Sequence, residues 1–283
     1  MSELTVPWVR SRKRREGHDP IVMVTAYDEP WARLVDAAGV DLILVGDTLA
    51  EIVLGYDDTL SVGIDDMVHH VSAVARARPR ALVVGDMPWM SYHTEVFDAV
   101  RNAARLIRAG AGAVKLEGGR RRLAAVRAIL EAEIPVMGHL GLTPQSVHAM
   151  GGYKVQGRQV SAAEDLVADA TALAEAGCFA VVLEGVPDLL AERVTAEIAV
   201  PTIGIGAGGG CDGQVLVLHD LLGMSKRPAP KFVRRYAEVG DIVTRAVAQY
   251  AGDVRSGAFP SDDETYHASR ELREAFAPAA DEL

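Results

Sequence analysis

The 283-residue chain is short of cysteine, of aromatic side chains and of long apolar runs, and each shortage removes a class of protein. With only Cys178 and Cys211 there is no disulfide framework, and a reducing compartment is the natural setting. Phe, Trp and Tyr make up 5% of residues, too few to build a stacking platform for single-stranded nucleic acid. Positive charge is in deficit too. Against 39 Asp plus Glu stand 29 Lys plus Arg, and the net charge of −10 disfavours nucleic acids and anionic membranes as partners. No apolar run approaches the roughly 18 residues of a membrane span. The N-terminal MSELTVPWVRSRKRRE lacks the apolar core of a secretory signal. No internal repeat or interdomain linker appears. A soluble, cytoplasmic protein is expected.

What the chain has instead is glycine, 27 residues of it, and a regular rhythm. Short β-branched runs recur: IVMVTAY from Ile21, DLILVG from Asp41, ALVVGDM from Ala81, GAVKLEGG from Gly112, IPVMGHLG from Ile134, FAVVLEG from Phe179, PTIGIGAG from Pro201 and QVLVLHD from Gln214. Continuous apolar runs suit strands of a parallel sheet buried on both faces. Amphipathic stretches lie between them: WARLVDAAGV, DDMVHHVSAVARA, EVFDAVRNAARLIRAG, LAAVRAILEAE, AEDLVADATALAEAG and PDLLAERVTAEI. Several end at a glycine such as Gly39, Gly110 or Gly177, the residue expected just past a helix C-terminus. Eight strand–helix units in about 250 residues are what a closed (β/α)8 TIM barrel requires. A doubly wound open sheet is the alternative. One α/β barrel domain is expected over residues 1–260, opened by a short N-terminal helix. An acidic, loosely structured tail without chemistry is expected over 261–283. The one basic block, RSRKRR from Arg10 to Arg15, is expected on the solvated face of the leading helix.

Polar residues gather where the apolar runs stop. Asp47 with Thr48, Asp86, Lys115 with Glu117, His139, Glu184, a glycine loop from Gly204, and His219 with Asp220 all lie at or just past a strand end. In a (β/α)8 barrel that face carries the active site. Lys115 and Glu117 are two apart, so both point to one side of their strand while Val114 and Leu116 face the helices. A single acidic residue there would be a turn former or helix cap. Carboxylates at four such ends, with a Lys and a His, exceed what turns need, and burying them demands pairing or a metal. Asp47, Asp86 and Glu117 are hard oxygen ligands, and His139 is a lone imidazole, a set that favours Mg2+ over Zn2+. Cys178 reads as core. Adjacent His69 and His70 point to different helix faces and suit packing or surface roles rather than a metal. GIGAGG at Gly204 to Gly209 matches a dinucleotide-binding pattern, but it leads into another strand and lacks the acidic partner about 20 residues on. It reads as a sharp loop at the barrel mouth.

The segments VTAYDEPWARLVDAAGVDLILVGDTLAEIVLGYDDTLSV, GDMPWMSY, AGAVKLEGG, PVMGHLGLTPQSVHAMGGYKVQGR, VVLEGVP, PTIGIGAGGGCDGQVLVLHDLLG and PKFVRRYA run in order from Val24 to Ala237. Together they resemble the ketopantoate hydroxymethyltransferase (3-methyl-2-oxobutanoate hydroxymethyltransferase) family. Two departures stand out: Thr48 replaces the family's usual serine, and Trp89 replaces a phenylalanine. The resemblance implies a barrel of the phosphoenolpyruvate/pyruvate type and a committed step of pantothenate synthesis. A hydroxymethyl group would pass from 5,10-methylenetetrahydrofolate to 3-methyl-2-oxobutanoate through a Mg2+-stabilised enolate, giving 2-dehydropantoate. It further implies Asp47, Asp86 and Glu117 as metal-associated carboxylates. Asp47, Thr48, Asp86 and Lys115 would contact the oxo acid, with His139 a second polar contact and Glu184 the proton acceptor. A homodecamer is implied as well. Two other readings stand beside it. A carbon–carbon lyase or phosphonomutase of related fold would carry a reactive cysteine in a Lys-Lys-Cys-Gly-His-type loop, and none is present. A barrel that only binds a metabolite would have no need of a base.

Overall fold

Each of the eight apolar runs becomes a strand: β1 (Ile21–Thr25), β2 (Leu42–Val45), β3 (Leu82–Asp86), β4 (Ala113–Glu117), β5 (Val136–Gly141), β6 (Ala180–Glu184), β7 (Thr202–Ile205) and β8 (Gly213–Leu216). The structure is a computed structural model that describes residues 4–225 and 229–276. All neighbouring strands are parallel, and β1 pairs with both β2 and β8, so the sheet closes into a barrel and the open-sheet alternative falls. Alternation along the strands builds two apolar layers. Ile43, Val83, Val114, Leu116 and Val181 pack outward under the helices. Met23, Leu44, Val84, Ala113, Met137 and Val182 fill the barrel.

The six amphipathic stretches form the helices Glu29–Ala37, Ile64–Ala75, Val96–Arg108, Leu123–Glu131, Val160–Ala176 and Asp188–Glu197. Gly39, Gly110 and Gly177 close three of them with φ of 86°, 109° and 110°, where a side chain would be strained. Among the described residues, no helix separates β7 from β8. Residues 206–212 return directly from the C-terminal end of β7 to the N-terminal end of β8. A Cβ on Gly208 or Gly210 would fall 2.6 Å from Asp188 or 2.1 Å from Glu192, so this loop lies against the preceding helix in place of a seventh one. GIGAGG therefore opens no helix. Its loop starts at the mouth but does not stay there, because a parallel neighbour must begin at the opposite end of the barrel.

The basic block also departs from expectation. The leading helix is only Val6–Arg10, and its Val9 is buried in the barrel-interior cluster. Past it the chain turns beneath the barrel, so helical spacing no longer applies. Lys13 is 1% exposed; its Nζ donates to Asp212 Oδ2 at 2.8 Å and to the carbonyls of Thr195 at 2.6 Å and Val200 at 3.2 Å. The Arg14 N–H donates to Asp212 Oδ1 at 2.8 Å. Pairing is what makes burial of this lysine tolerable.

Contacts divide the chain into Met1–Tyr236 and Ala237–Leu283. The composition boundary at 260/261 falls within the second unit. There the helix Val239–Ser256 buries none of its residues. A 3-10 turn at Asp262–Glu264 and a helix at Arg270–Phe276 form where loose structure was expected. The latter carries an Arg270–Glu274 pair one turn apart, 2.7 Å, which supports a helix locally. Residues 277–283 of the tail lie outside the described residues. Among the described residues no helix is long and apolar enough to cross a membrane.

Candidate active site

The period of two that fills the barrel also builds the site. Val84 is followed two residues on by Asp86, Ala113 by Lys115 and Glu117, Met137 by His139, and Val182 by Glu184. In each case the apolar residue sits inside the barrel, so the polar one points inward one layer higher, at the C-terminal mouth. Asp47 and Thr48 follow β2 on the loop into the short helix Leu49–Ile52. Five of these side chains are buried: Asp47, Asp86, Lys115, Glu117 and His139.

They touch one another. Lys115 Nζ lies 2.9 Å from Asp86 Oδ1 and 3.2 Å from His139 Nδ1. His139 Nδ1 is 3.4 Å from Glu117 Oε1, and its Nε2 is 3.2 Å from Glu184 Oε2. The Asp47 N–H donates to Asp86 Oδ2 at 3.2 Å. Two of these contacts are close without being aligned: Asp86 Oδ1 and His139 Nε2 are buried with no hydrogen bond of good geometry. Such atoms are the ones a bound ligand would engage.

The protonation states follow from burial and charge. Burial, then the Asp86 and Glu117 carboxylates, push Asp47 well above the usual carboxylate range. Burial raises Asp86 as well, against the pull of Lys115. Glu117 moves down despite burial, because His139, Lys115 and the Gln145 N–H favour its anion. Burial and Lys115 oppose a charge on His139, yet Glu117 and Glu184 outweigh them and the imidazole is pushed up to about 9. Lys115 stays an ammonium despite burial, held by Asp86, Glu117 and Asp47. Four acidic side chains (Asp47, Asp86, Glu117, Glu184) thus crowd two cations, and burial with mutual repulsion favours the protonated forms of Asp47 and Asp86. A divalent cation would relieve that crowding, and the donors are hard oxygens. Among the described residues no group of three or more His, Cys, Asp or Glu side chains is already arranged to hold a metal ion.

Two residues here were not anticipated. Tyr92, on the loop after β3, and Gln145, in the 3-10 turn after β5, are buried within the carboxylate group. Tyr92 OH donates to Gln145 Oε1 at 2.6 Å, and Gln145 Nε2 donates to Asp47 Oδ2 at 2.8 Å. Neutral polar residues on loops carry no periodic signal, although both lie within GDMPWMSY and the GHLGLTPQSV stretch. Thr48 is partly buried and its hydroxyl makes no capping bond. Other polar residues stay apart from the cluster. His219 packs its ring beside Tyr27 and Trp31, at centroid distances of 5.8 and 6.4 Å. His70 Nδ1 meets the Tyr27 carbonyl oxygen at 2.7 Å, a packing role as expected.

The profile of the ketopantoate hydroxymethyltransferase family matches residues 4–262. The chain belongs to that family. It is therefore an enzyme, a transferase, and its barrel is the family's catalytic scaffold. Curated relatives named 3-methyl-2-oxobutanoate hydroxymethyltransferase include that of Koribacter versatilis (strain Ellin345), 55% identical over 92% of this chain and 88% of the relative. That of Syntrophomonas wolfei subsp. wolfei is 53% identical over 96% of this chain and 98% of its own. Solved structures share the fold at low identity. A 2,3-dimethylmalate lyase, a member of the PEP mutase/isocitrate lyase superfamily, superposes with TM-score 0.59 at 18% identity, over 92% of this chain and 91% of the lyase. A phosphonopyruvate hydrolase in complex with oxalate and Mg2+ superposes with TM-score 0.60 at 13% identity, over 96% and 94%.

Proposed function

We propose that the protein transfers a hydroxymethyl group from 5,10-methylenetetrahydrofolate to 3-methyl-2-oxobutanoate, giving 2-dehydropantoate, with Mg2+ as cofactor. The observation that carries this reading is a difference in exposure. Glu184 is 17% exposed, while the side chains of Asp86, Lys115, Glu117 and His139 are at 2–4%. One carboxylate thus faces the mouth above a buried, charged floor, as a base acting on a bound acid requires. The hydrolase of the same fold, solved with oxalate and Mg2+, lends support, since oxalate offers adjacent oxygens much as a 2-oxo acid does.

Asp47, Asp86 and Glu117 would hold the ion, which when bound supplies Lewis-acid stabilisation of negative charge on the oxo acid's oxygens. Asp47, Thr48, Asp86 and Lys115 bind the oxo acid, with His139 as a further polar contact. Lys115 sets a fixed positive charge where negative charge develops. Glu184 accepts the C3 proton. The electron pair left on C3 bonds to the methylene carbon of the folate, both carbon–nitrogen bonds of that bridge break, and water supplies the hydroxyl. The C3 proton and one from water return to the two folate nitrogens. A cytoplasmic homodecamer belongs to the same reading, as the family resemblance implies.

Purified protein given both substrates and Mg2+ forms 2-dehydropantoate, and a chelator abolishes it. Full activity in metal-free buffer overturns the metal assignment, and no product at saturating substrates overturns the activity.

A further inference from the structure

Gln145 is tied into the carboxylate group through three of its atoms. Its Nε2 donates to Asp47 Oδ2 at 2.8 Å and to the Met87 carbonyl at 3.0 Å. Its backbone N–H donates to Glu117 Oε2 at 3.0 Å, and its Oε1 receives the Tyr92 hydroxyl at 2.6 Å. Tyr92 OH in turn accepts the Glu117 N–H at 3.1 Å. Asp47, Tyr92, Glu117 and Gln145 come from the ends of β2, β3, β4 and β5, so these bonds stitch four adjacent loops together. Both residues are buried, Tyr92 at 3% and Gln145 at 5% exposure.

The direction of the amide is fixed by what it touches. A phenol has one proton; with the Glu117 N–H donating into the Tyr92 oxygen, that proton has two acceptors, Gln145 Oε1 at 2.6 Å and the Glu117 carbonyl oxygen at 3.3 Å, and the shorter contact is to the amide. The amide then points its NH2 at Asp47 and at the Met87 carbonyl, and the carbonyl can only accept. A flipped amide would set its oxygen against that carbonyl and leave the phenol proton facing a donor. Gln145 therefore always presents a donor to Asp47. It occupies Oδ2 and leaves the other oxygen to bear on a ligand, and its main chain holds Glu117 Oε2 while Oε1 faces His139 at 3.4 Å. It does so as a neutral group, adding no charge where carboxylates already repel.

We infer that Gln145 and Tyr92 are a positioning pair that orients Asp47 and Glu117 toward a divalent cation, an assignment that rests on the metal-dependent reading above. The alternative is a plug that merely fills the mouth of the barrel. Gln145→Met keeps the side chain's length and the main-chain bond to Glu117 while removing the amide. Tyr92→Phe removes only the hydroxyl that sets the amide's direction. Calorimetric titration with Mg2+ or Mn2+, without folate, should show affinity weakened about 10–100-fold in Gln145→Met and less in Tyr92→Phe, with native circular dichroism in both. At saturating metal, deuterium exchange at C3 of 3-methyl-2-oxobutanoate should recover toward the wild-type rate, a split a general loss of structure does not produce. The double variant should be no worse than Gln145→Met alone, because the phenol acts through the amide. Variants that lose thermal stability yet bind metal like the wild type overturn the pair's role. A wild type that binds no divalent cation overturns the metal reading itself, and the pair's role with it.

Discussion

Glu184 and His139 meet at 3.2 Å, yet only Glu184 reaches the solvent side of the site. The two candidate proton acceptors can be told apart by experiment. In D2O with Mg2+ and no folate, the wild type should exchange the C3 proton of the oxo acid, and Glu184→Gln should lose about 10²–10⁴ in that rate while still binding metal and acid. Exchange at the wild-type rate in Glu184→Gln would move the base to His139. The cysteines give a second test at this scale. Burial pushes the Cys178 thiol up to about 12 and raises Cys211 as well. At pH 8 little of either thiol is then ionised, and native protein should take up iodoacetamide at neither position until unfolded. A fast-labelling thiol would contradict the burial of both. Asp86, Lys115, Glu117, His139 and Glu184 were legible in the sequence because strand alternation marks them out against apolar neighbours. Gln145 and Tyr92 were not, since their importance lies in hydrogen-bond direction, which only three-dimensional proximity reveals.

All eight strands and the six helices between them were legible, because buried parallel strands and amphipathic helices each impose a period on the chain; the longest helix, Val239–Ser256, was not singled out. Within the basic block, Arg10 and Arg14 are exposed as expected, but Lys13 was misjudged for the converse reason. Charge counting assigns Lys13 to water, whereas the chain turns it under the barrel into the carbonyls of Thr195 and Val200. Removing one partner of a buried ion pair costs about 3–5 kcal/mol. Lys13→Met should therefore lower unfolding free energy by that order in urea titration, leaving Asp212 buried with its N–H donors from Arg14 and Thr202. Mg2+ affinity should not change, since Lys13 holds the N-terminal end of the barrel and the carboxylates lie at the other. A stability equal to wild type would mean that water reaches this pair.

The second unit carries a stripe that its own residues cover only at Tyr250, where the Phe259 ring packs against it. Val243, Val247, Tyr250 and Val254 recur at helical spacing along Val239–Ser256, and all are at least 46% exposed. Such a stripe is suited to being covered, by the first unit or by another copy of the chain. Light scattering at micromolar concentration should return a multiple of the 30.2 kDa chain, with ten copies expected; a monomer would remove the assembly from the functional reading. The bond between Lys13 and Asp212 has a consequence of another kind. It joins positions nearly 200 residues apart, and Val9 enters a core that β8 must complete. During synthesis, the first residues wait until three quarters of the chain has left the ribosome before their partner exists. At about 5–20 residues per second that delay is on the order of 10–40 s. Throughout it, the interior of the barrel lacks the strand that closes it, and apolar surface meant for the core stays exposed.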